Sequence, residues 1–269
     1  MKRLVLAALL LLPLMARAAD LPAAIAASSA LRIANVPNYP PLEFLDLSTN
    51  RLTGFDIDLG DAIAARLGLK AAWVETSFDQ MLPGLATGRV DAVMSGMSDL
   101  ATRHETASFV DYLRSGPQFF VSASRAGEFK DMTALCGKTV GASRRTAFPK
   151  QIMAWSDEHC PGKPITFIGT DGSIDARTQL RQGRLDAAVQ GNETMPFVME
   201  QEPNQYATVG GAIATQLTGI ALPVKETGLQ QAILSALDAL IADGTYKTLL
   251  AKWHLADNAV TKADLNAGQ

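Results

Sequence analysis

Bond-making chemistry needs an activated nucleophile, a tuned acid or base, or a metal, and this chain offers little material for any of them. Its three histidines, His104, His159 and His254, have no spacing suited to one metal site. Neither a Gly-x-Ser-x-Gly elbow nor a phosphate-binding loop occurs. The residues point instead to the capture of a small polar molecule. Two stretches, Leu85 to Gly96 and Leu180 to Gly191, carry Leu, Gly, Arg, Asp, Ala and Gly at matching places. Each reads as a helix end, a glycine stop, an Asp-led turn and a short apolar strand running to a polar tip. Ligands of open α/β sheets sit beyond the carboxyl ends of the strands. The tips Ser95-Gly96 and Gln190-Gly191 therefore mark the place to seek a cleft, and Tyr39 is placed to join them.

The elements that must hold these tips follow from the pattern. Leu31 to Val36 is a β-rich run ending at Pro37-Asn38-Tyr39-Pro40-Pro41, where two prolines force an extended turn. Gly54-Phe55-Asp56 opens a helix with Leu59, Ala62, Ile63 and Leu67 at helical spacing, and Asp56 and Asp58 suit its positive end. A strand at 71–75, a helix at 78–85 and a strand at 90–95 complete a lobe with a mainly parallel sheet. The logic repeats with strands at 118–122 and 139–142, a helix at 148–159, a strand at 165–168 and a helix at 174–182. From Gly219 the chain returns, closing with helices at 226–242 and 246–253. Leu229, Ile233, Leu237, Leu240 and Ile241 form the buried stripe of the first of these.

At the amino end, Lys2 and Arg3 precede the apolar run Leu4 to Leu14, and Ala16-Arg17-Ala18 suits a signal peptidase. Residues 1–19 thus read as a secretory signal peptide; a membrane span needs about 20 apolar residues. The remaining length favours two domains. A formal charge of −3 provides no footprint for nucleic acid, which needs a basic face. The two cysteines, Cys136 and Cys160, would meet oxidising conditions after export. A disulfide between them is expected, stabilising by about 3 kcal/mol in the loop-entropy model. Neither lies near the cleavage site, so no N-terminal lipid anchor is available, and an unanchored binder is best retained in a periplasm.

The segments Tyr39-Pro-Pro-Leu-Glu-Phe44, Leu52-Thr-Gly-Phe-Asp-Ile-Asp-Leu59, Gly88-Arg-Val-Asp-Ala92, Ser95-Gly-Met-Ser98 with Arg103, and Ala242-Asp-Gly-Thr-Tyr246 with Trp253 occur in this order over essentially all of the mature chain. Together they resemble the periplasmic polar amino-acid-binding proteins of ABC transporters, solute-binding protein family 3. The resemblance implies an α/β, two-lobed periplasmic binding protein-like fold of type II with a discontinuous first lobe: 20–117 and 219–269 around a second lobe at 118–218. It also implies a periplasmic protein that binds an amino acid or related small carboxylate and passes it to a membrane permease; no cofactor or metal is expected, and a monomer is the default.

By the same resemblance, Arg103 clamps the ligand carboxylate through paired charge-assisted hydrogen bonds, aided by Ser98 and the backbone of Ser95, Gly96 and Met97. Tyr39 and Phe78 are the aromatic walls, and Thr146 lends a backbone amide from the second lobe. The chain departs from the family at Arg145, where glycine is usual; with Arg144 it would either favour a second carboxylate on the ligand or simply stand solvated. It departs again at Gly191, the place of the aspartate that holds the ligand ammonium. Asn192 or Glu193 takes that role, Glu193 being the better electrostatic candidate, or the ligand lacks an ordinary α-amino group. Two rivals stand beside this reading. One is an exported enzyme on the same scaffold, similar to cyclohexadienyl dehydratase and using Glu193 as its acid; the other is a free-standing ligand sensor.

Overall fold

Two sheets divide the chain, of which the computed structural model describes residues 21–269. The leader read over 1–19 lies outside the described residues. The larger sheet contains Ala30–Asn35, Lys70–Glu75, Ala92–Val93, Ser98–Asp99, Ser108–Ser115, Gln216–Leu222 and Asp264–Leu265. The smaller contains Pro117–Ser122, Thr139–Ser143, Thr166–Thr170, Ala187–Gly191 and Tyr206–Ala212. Each sheet, with its helices, encloses its own apolar core. Phe55, Leu59, Ile63, Tyr112, Ile233 and Leu237 anchor the first, and Phe119, Val140, Ile152 and Trp155 the second. The protein is an α/β molecule of two lobes.

The matching sequence stretches do the same structural work in both lobes. Gly88 and Gly183 both adopt φ of +70°, the left-handed region glycine enters without strain. Asp91 and Asp186 then lie beside the first parallel strand of their sheets. Asp91 accepts from the backbone of Arg32 at 2.9 Å, and Asp186 from that of Thr139 at 3.0 Å. Each aspartate also binds an arginine, Arg32 at 2.6 Å and Arg125 at 3.0 Å. The following strands, Ala92–Val93 and Ala187–Gly191, pair in parallel with Ala30–Asn35 and Thr139–Ser143.

Several elements differ from the sequence reading. The strand expected at 90–95 is reduced to Ala92–Val93, because the polypeptide turns at Gly96 with φ of +55°. The long strand Ser108–Ser115 pairs antiparallel with Gln216–Leu222, so the first sheet is only partly parallel. The chain re-enters that sheet at Gln216, ahead of the return read at Gly219. Asp56 and Asp58 serve tertiary contacts: Asp56 accepts from Gly96 N and Tyr112 OH, and Asp58 from Lys252 and Trp253.

The two crossings between lobes run side by side. A Cβ at Gly116 would lie 2.0 Å from the carbonyl oxygen of Ala214, so this approach requires glycine. A small sheet of Asn38–Tyr39, Glu43–Asp46 and Arg51–Thr53 projects from the first lobe and carries Tyr39. Cys136 and Cys160 form a disulfide that joins the turn before Thr139–Ser143 to the end of the helix Phe148–His159.

Because Asp91 satisfies a backbone N–H of a central strand, Asp91→Ala should destabilise the first lobe by about 1–3 kcal/mol, the cost of an unsatisfied buried donor. Urea denaturation checks this, and Asp186→Ala should cost a similar amount in the second lobe.

Candidate ligand-binding site

The cleft between the lobes is built where strands end and helices begin. It encloses about 810 Å³ counting its open mouth. From the first lobe come Tyr39, Glu43, Phe78, Ser95, Gly96, Ser98 and Arg103. The second lobe contributes Arg145, Thr146, Phe148, Asp171 and Ser173. Three helices start at its wall: Phe78–Ala86, Phe148–His159 and Ser173–Arg181. Their unpaired N–H ends carry partial positive charge.

Arg103 lies in a short 3-10 turn, Ala101–Arg103, directly after the strand Ser98–Asp99. Its Nη1 donates to the carbonyl of Ser98 at 2.7 Å, which fixes the guanidinium and leaves Nε and Nη2 without a protein partner among the described residues. Burial pushes its pKa down, partly offset by the nearby charge of Asp99; a guanidinium remains charged regardless. Ser98 Oγ accepts from Gln216 Nε2 at 2.8 Å, so its own hydrogen is available to the cleft.

Tyr39 lies across Gly96, whose hypothetical Cβ would stand 3.0 Å from the tyrosine ring. Beneath them is a group of buried acids. Ser95 Oγ donates to Glu43 Oε1 at 2.6 Å. Desolvation and the neighbouring Asp56 push Glu43 well above the usual carboxylate range, which favours its protonated form. Asp56 rises to about 6 for the same reason of burial, opposed by the donors Gly96 N and Tyr112 OH.

Three of the expected site residues are placed differently from the sequence reading. Asn192, Glu193 and Met97 are not among the cleft-lining residues. Met97 packs in the core with Met81 and Phe109, while Asn192 donates its backbone N–H to Gly116 O at 2.9 Å. Glu193 folds back on Gly191: a Cβ at position 191 would lie 1.9 Å from Glu193 Oε1. The glutamate carboxyl thus occupies the space that a side chain at 191 would take. Tyr39 OH donates to Glu193 Oε1 at 3.0 Å and accepts from Gly191 N at 2.9 Å, bridging the lobes. Of the arginine pair, Arg145 lines the cleft and faces Asp79 at 3.9 Å. Arg144 turns to Gly169 O and Asp171.

Glu43, Phe148, Asp171 and Ser173 line the cleft without having been singled out from the sequence. Glu43 stands inside a quoted motif, and Gly172-Ser173 is a helix start equivalent in place to Ser77-Phe78. Among the described residues no cluster of His, Cys, Asp or Glu could hold a metal, and no helix is long and apolar enough to cross a membrane.

Residues 31–256 match the family model of bacterial extracellular solute-binding proteins, family 3. The chain belongs to this family. As a family 3 solute-binding protein it is similar to arginine-binding protein ArgT of Corynebacterium glutamicum, with 29% identity over 92% of this chain and 82% of that one. It is similar also to the histidine-binding periplasmic protein of Salmonella typhimurium, with 28% identity over 83% of this chain and 86% of its relative. Among solved structures it resembles an ancestral amino acid-binding protein described as a precursor of cyclohexadienyl dehydratase. There the TM-score is 0.76 and the identity 27%, covering 86% of this chain and 97% of the other.

Burial raises Glu193 from 4.5 to about 7. The folded protein therefore holds a proton there that the unfolded chain has released. The contribution to stability is full below about pH 4.5 and is lost as pH climbs through 7. Glu193→Gln keeps an acceptor for Tyr39 and removes the ionisation. It should stabilise the protein over the wild type by about 3 kcal/mol at pH 8 and by under about 1 kcal/mol at pH 5. Denaturation at the two pH values measures this; an equal difference at both would contradict it.

Proposed function

We propose that this chain is the periplasmic ligand-capturing component of an ABC importer, exported by a signal peptide over residues 1–19 and working as a monomer. It takes an amino acid or related small carboxylate into the cleft, closes its lobes about the crossings at 115–117 and 213–216, and delivers the ligand to a membrane permease. The observation that carries this reading is Arg103. Its guanidinium is mostly buried, anchored at one nitrogen by Ser98 O and open at the others toward a cleft that three helix starts also face.

A carboxylate entering there would accept two parallel hydrogen bonds from Arg103, with Ser98 Oγ and the Gly96 region on the near side. Thr146 and Ser173 would approach from the second lobe as the lobes close, where helix N-termini favour negative charge. Tyr39, Phe78 and Phe148 would wall the rest of the ligand and exclude water, strengthening the ion pair. Arg145, at the mouth, is the group that would favour a second acidic function. The names of the arginine- and histidine-binding relatives support an amino-acid ligand, while Gly191 and the Glu193 that fills its space support one whose ammonium is held by other acceptors.

The enzyme reading has one observation in its favour, the Glu193 carboxyl with its pKa near neutrality. That carboxyl lies behind Tyr39 and outside the cleft lining, which favours capture over catalysis.

A thermal-shift screen of ligand-stripped protein against the proteinogenic amino acids and small dicarboxylates tests the proposal, because a native-state ligand raises the melting temperature. Arg103→Ala should erase the shift of every wild-type binder, a loss of about 2–5 kcal/mol for a buried charge pair, with the unliganded melting temperature little changed. A retained shift would refute the role of Arg103.

A further inference from the structure

Beside the turn that carries Arg103, a segment outside the family match closes over two buried aspartates. Asp264–Leu265 adds an edge strand to Ser108–Ser115, beyond the matched residues 31–256. The segment then continues as a clasp. Asn266 exchanges two hydrogen bonds with the backbone of Phe109: its N–H donates to Phe109 O at 2.9 Å, and its Oδ1 accepts from Phe109 N at 2.7 Å. Ala267 N donates to Asp111 Oδ2 at 3.2 Å. Gly268 N donates to Asp99 Oδ2 at 2.7 Å.

Asp99 is the junction between this clasp and the site. It is fully buried and directly follows Ser98, whose carbonyl holds the Arg103 guanidinium. Its other oxygen, Oδ1, meets His104 Nε2 at 2.5 Å, so the carboxylate spans the 3-10 turn that presents Arg103. The charge of Asp99 also acts on Arg103 directly, opposing the effect of burial. The fit at Gly268 is tight: a Cβ there would lie 2.2 Å from Asp99 O and 2.5 Å from Asp99 Cγ, so only glycine brings the backbone N–H onto the carboxylate.

We propose that Asn266–Gly268 is a positioning strap for Arg103: with His104 it immobilises the Asp99 carboxylate, and Asp99 thereby sets the Ser98–His104 turn from which the guanidinium reaches the cleft. The consequence for ligand capture rests on the reading of Arg103 given above; the positioning itself does not. Arg103 would otherwise have only one hydrogen bond, to Ser98 O, to define its direction. A preorganised guanidinium loses less freedom when a carboxylate arrives.

Hydrogen exchange on the full chain tests the strap without any ligand. Gly268→Ala forces the segment off Asp99, and Asn266→Ala removes its tie to Phe109. Both should speed amide exchange at Ser98–Thr106 about tenfold by raising the population of locally opened states, while exchange at Thr166–Arg181 in the second lobe stays as in the wild type. Substitution of the exposed Gln269 by Ala should change neither. Unchanged exchange at Ser98–Thr106 in both strap variants would overturn the proposal, as would equal acceleration in the two lobes. With any ligand found in the amino-acid and dicarboxylate screen, Gly268→Ala should weaken affinity about tenfold, about 1.4 kcal/mol. An Arg103→Ala variant that still binds would refute the ligand role and leave the exchange result standing by itself.

Discussion

The first lobe depends on the burial of Asp56. Its carboxylate stands at the start of the helix Phe55–Arg66 and takes hydrogen bonds from Gly96 N at 3.0 Å and from Tyr112 OH at 2.9 Å. One side chain thus ties a helix, the cleft loop and a central strand. Glu43 completes the arrangement, its protonated form favoured by burial and by Asp56, while it accepts from Ser95 Oγ. Two adjacent acids without a cation between them are tolerable only when they are not both ionised. Neutralising Glu43 therefore lets the loop Ser95–Gly96 be pinned from below by two oxygen-rich groups. Tyr112 transmits the same constraint outward, because its carbonyl accepts from Tyr246 OH at 2.7 Å.

On this base the cleft acquires an electrostatic asymmetry. Its acids lie underneath, desolvated and pushed toward the neutral form, whereas Arg103 stays charged and presents open donors. Helix N-termini from both lobes add partial positive charge. Asp171, an acidic residue of the lining, is paired with Arg144 at 3.3 Å. The result favours an anionic group deep in the cleft. Tyr39 connects this chemistry to lobe approach, since its hydroxyl reaches both Glu193 Oε1 and Gly191 N across the gap. The Glu193 carboxyl thus stands where a side chain at position 191 would stand.

Much of this was legible in the sequence where local chemistry and tertiary need coincide. The helix at 148–159 and the glycine stops at Gly88 and Gly183 follow from capping and positive φ. The Asp91 and Asp186 equivalence is visible because the same strand-capping task demands the same residues twice. The strand Ser108–Ser115 escaped notice because it is buried on both faces for most of its length, which removes the alternation that betrays a strand. Glu43 was read as part of a motif and not as a cleft residue, since its role needs Asp56 and Ser95, distant in sequence. Glu193 was placed in the cleft by its nearness to position 191 and its charge; its backward turn onto Gly191 is a matter of space that only the fold defines. The strap at Asn266–Gly268 has no sequence signal beyond one glycine.

The proposed role of Arg103 is to hold the carboxylate of a captured small molecule. A crystal structure of the protein bound to the ligand with the largest thermal shift examines it most directly. That role places a ligand carboxylate on two N–H groups of Arg103 at about 2.7–2.9 Å, with Tyr39 and Phe78 against the remainder of the ligand and Glu193 still joined to Tyr39. A ligand whose acidic group lies elsewhere, with Arg103 contacting only Ser98 O, would contradict it.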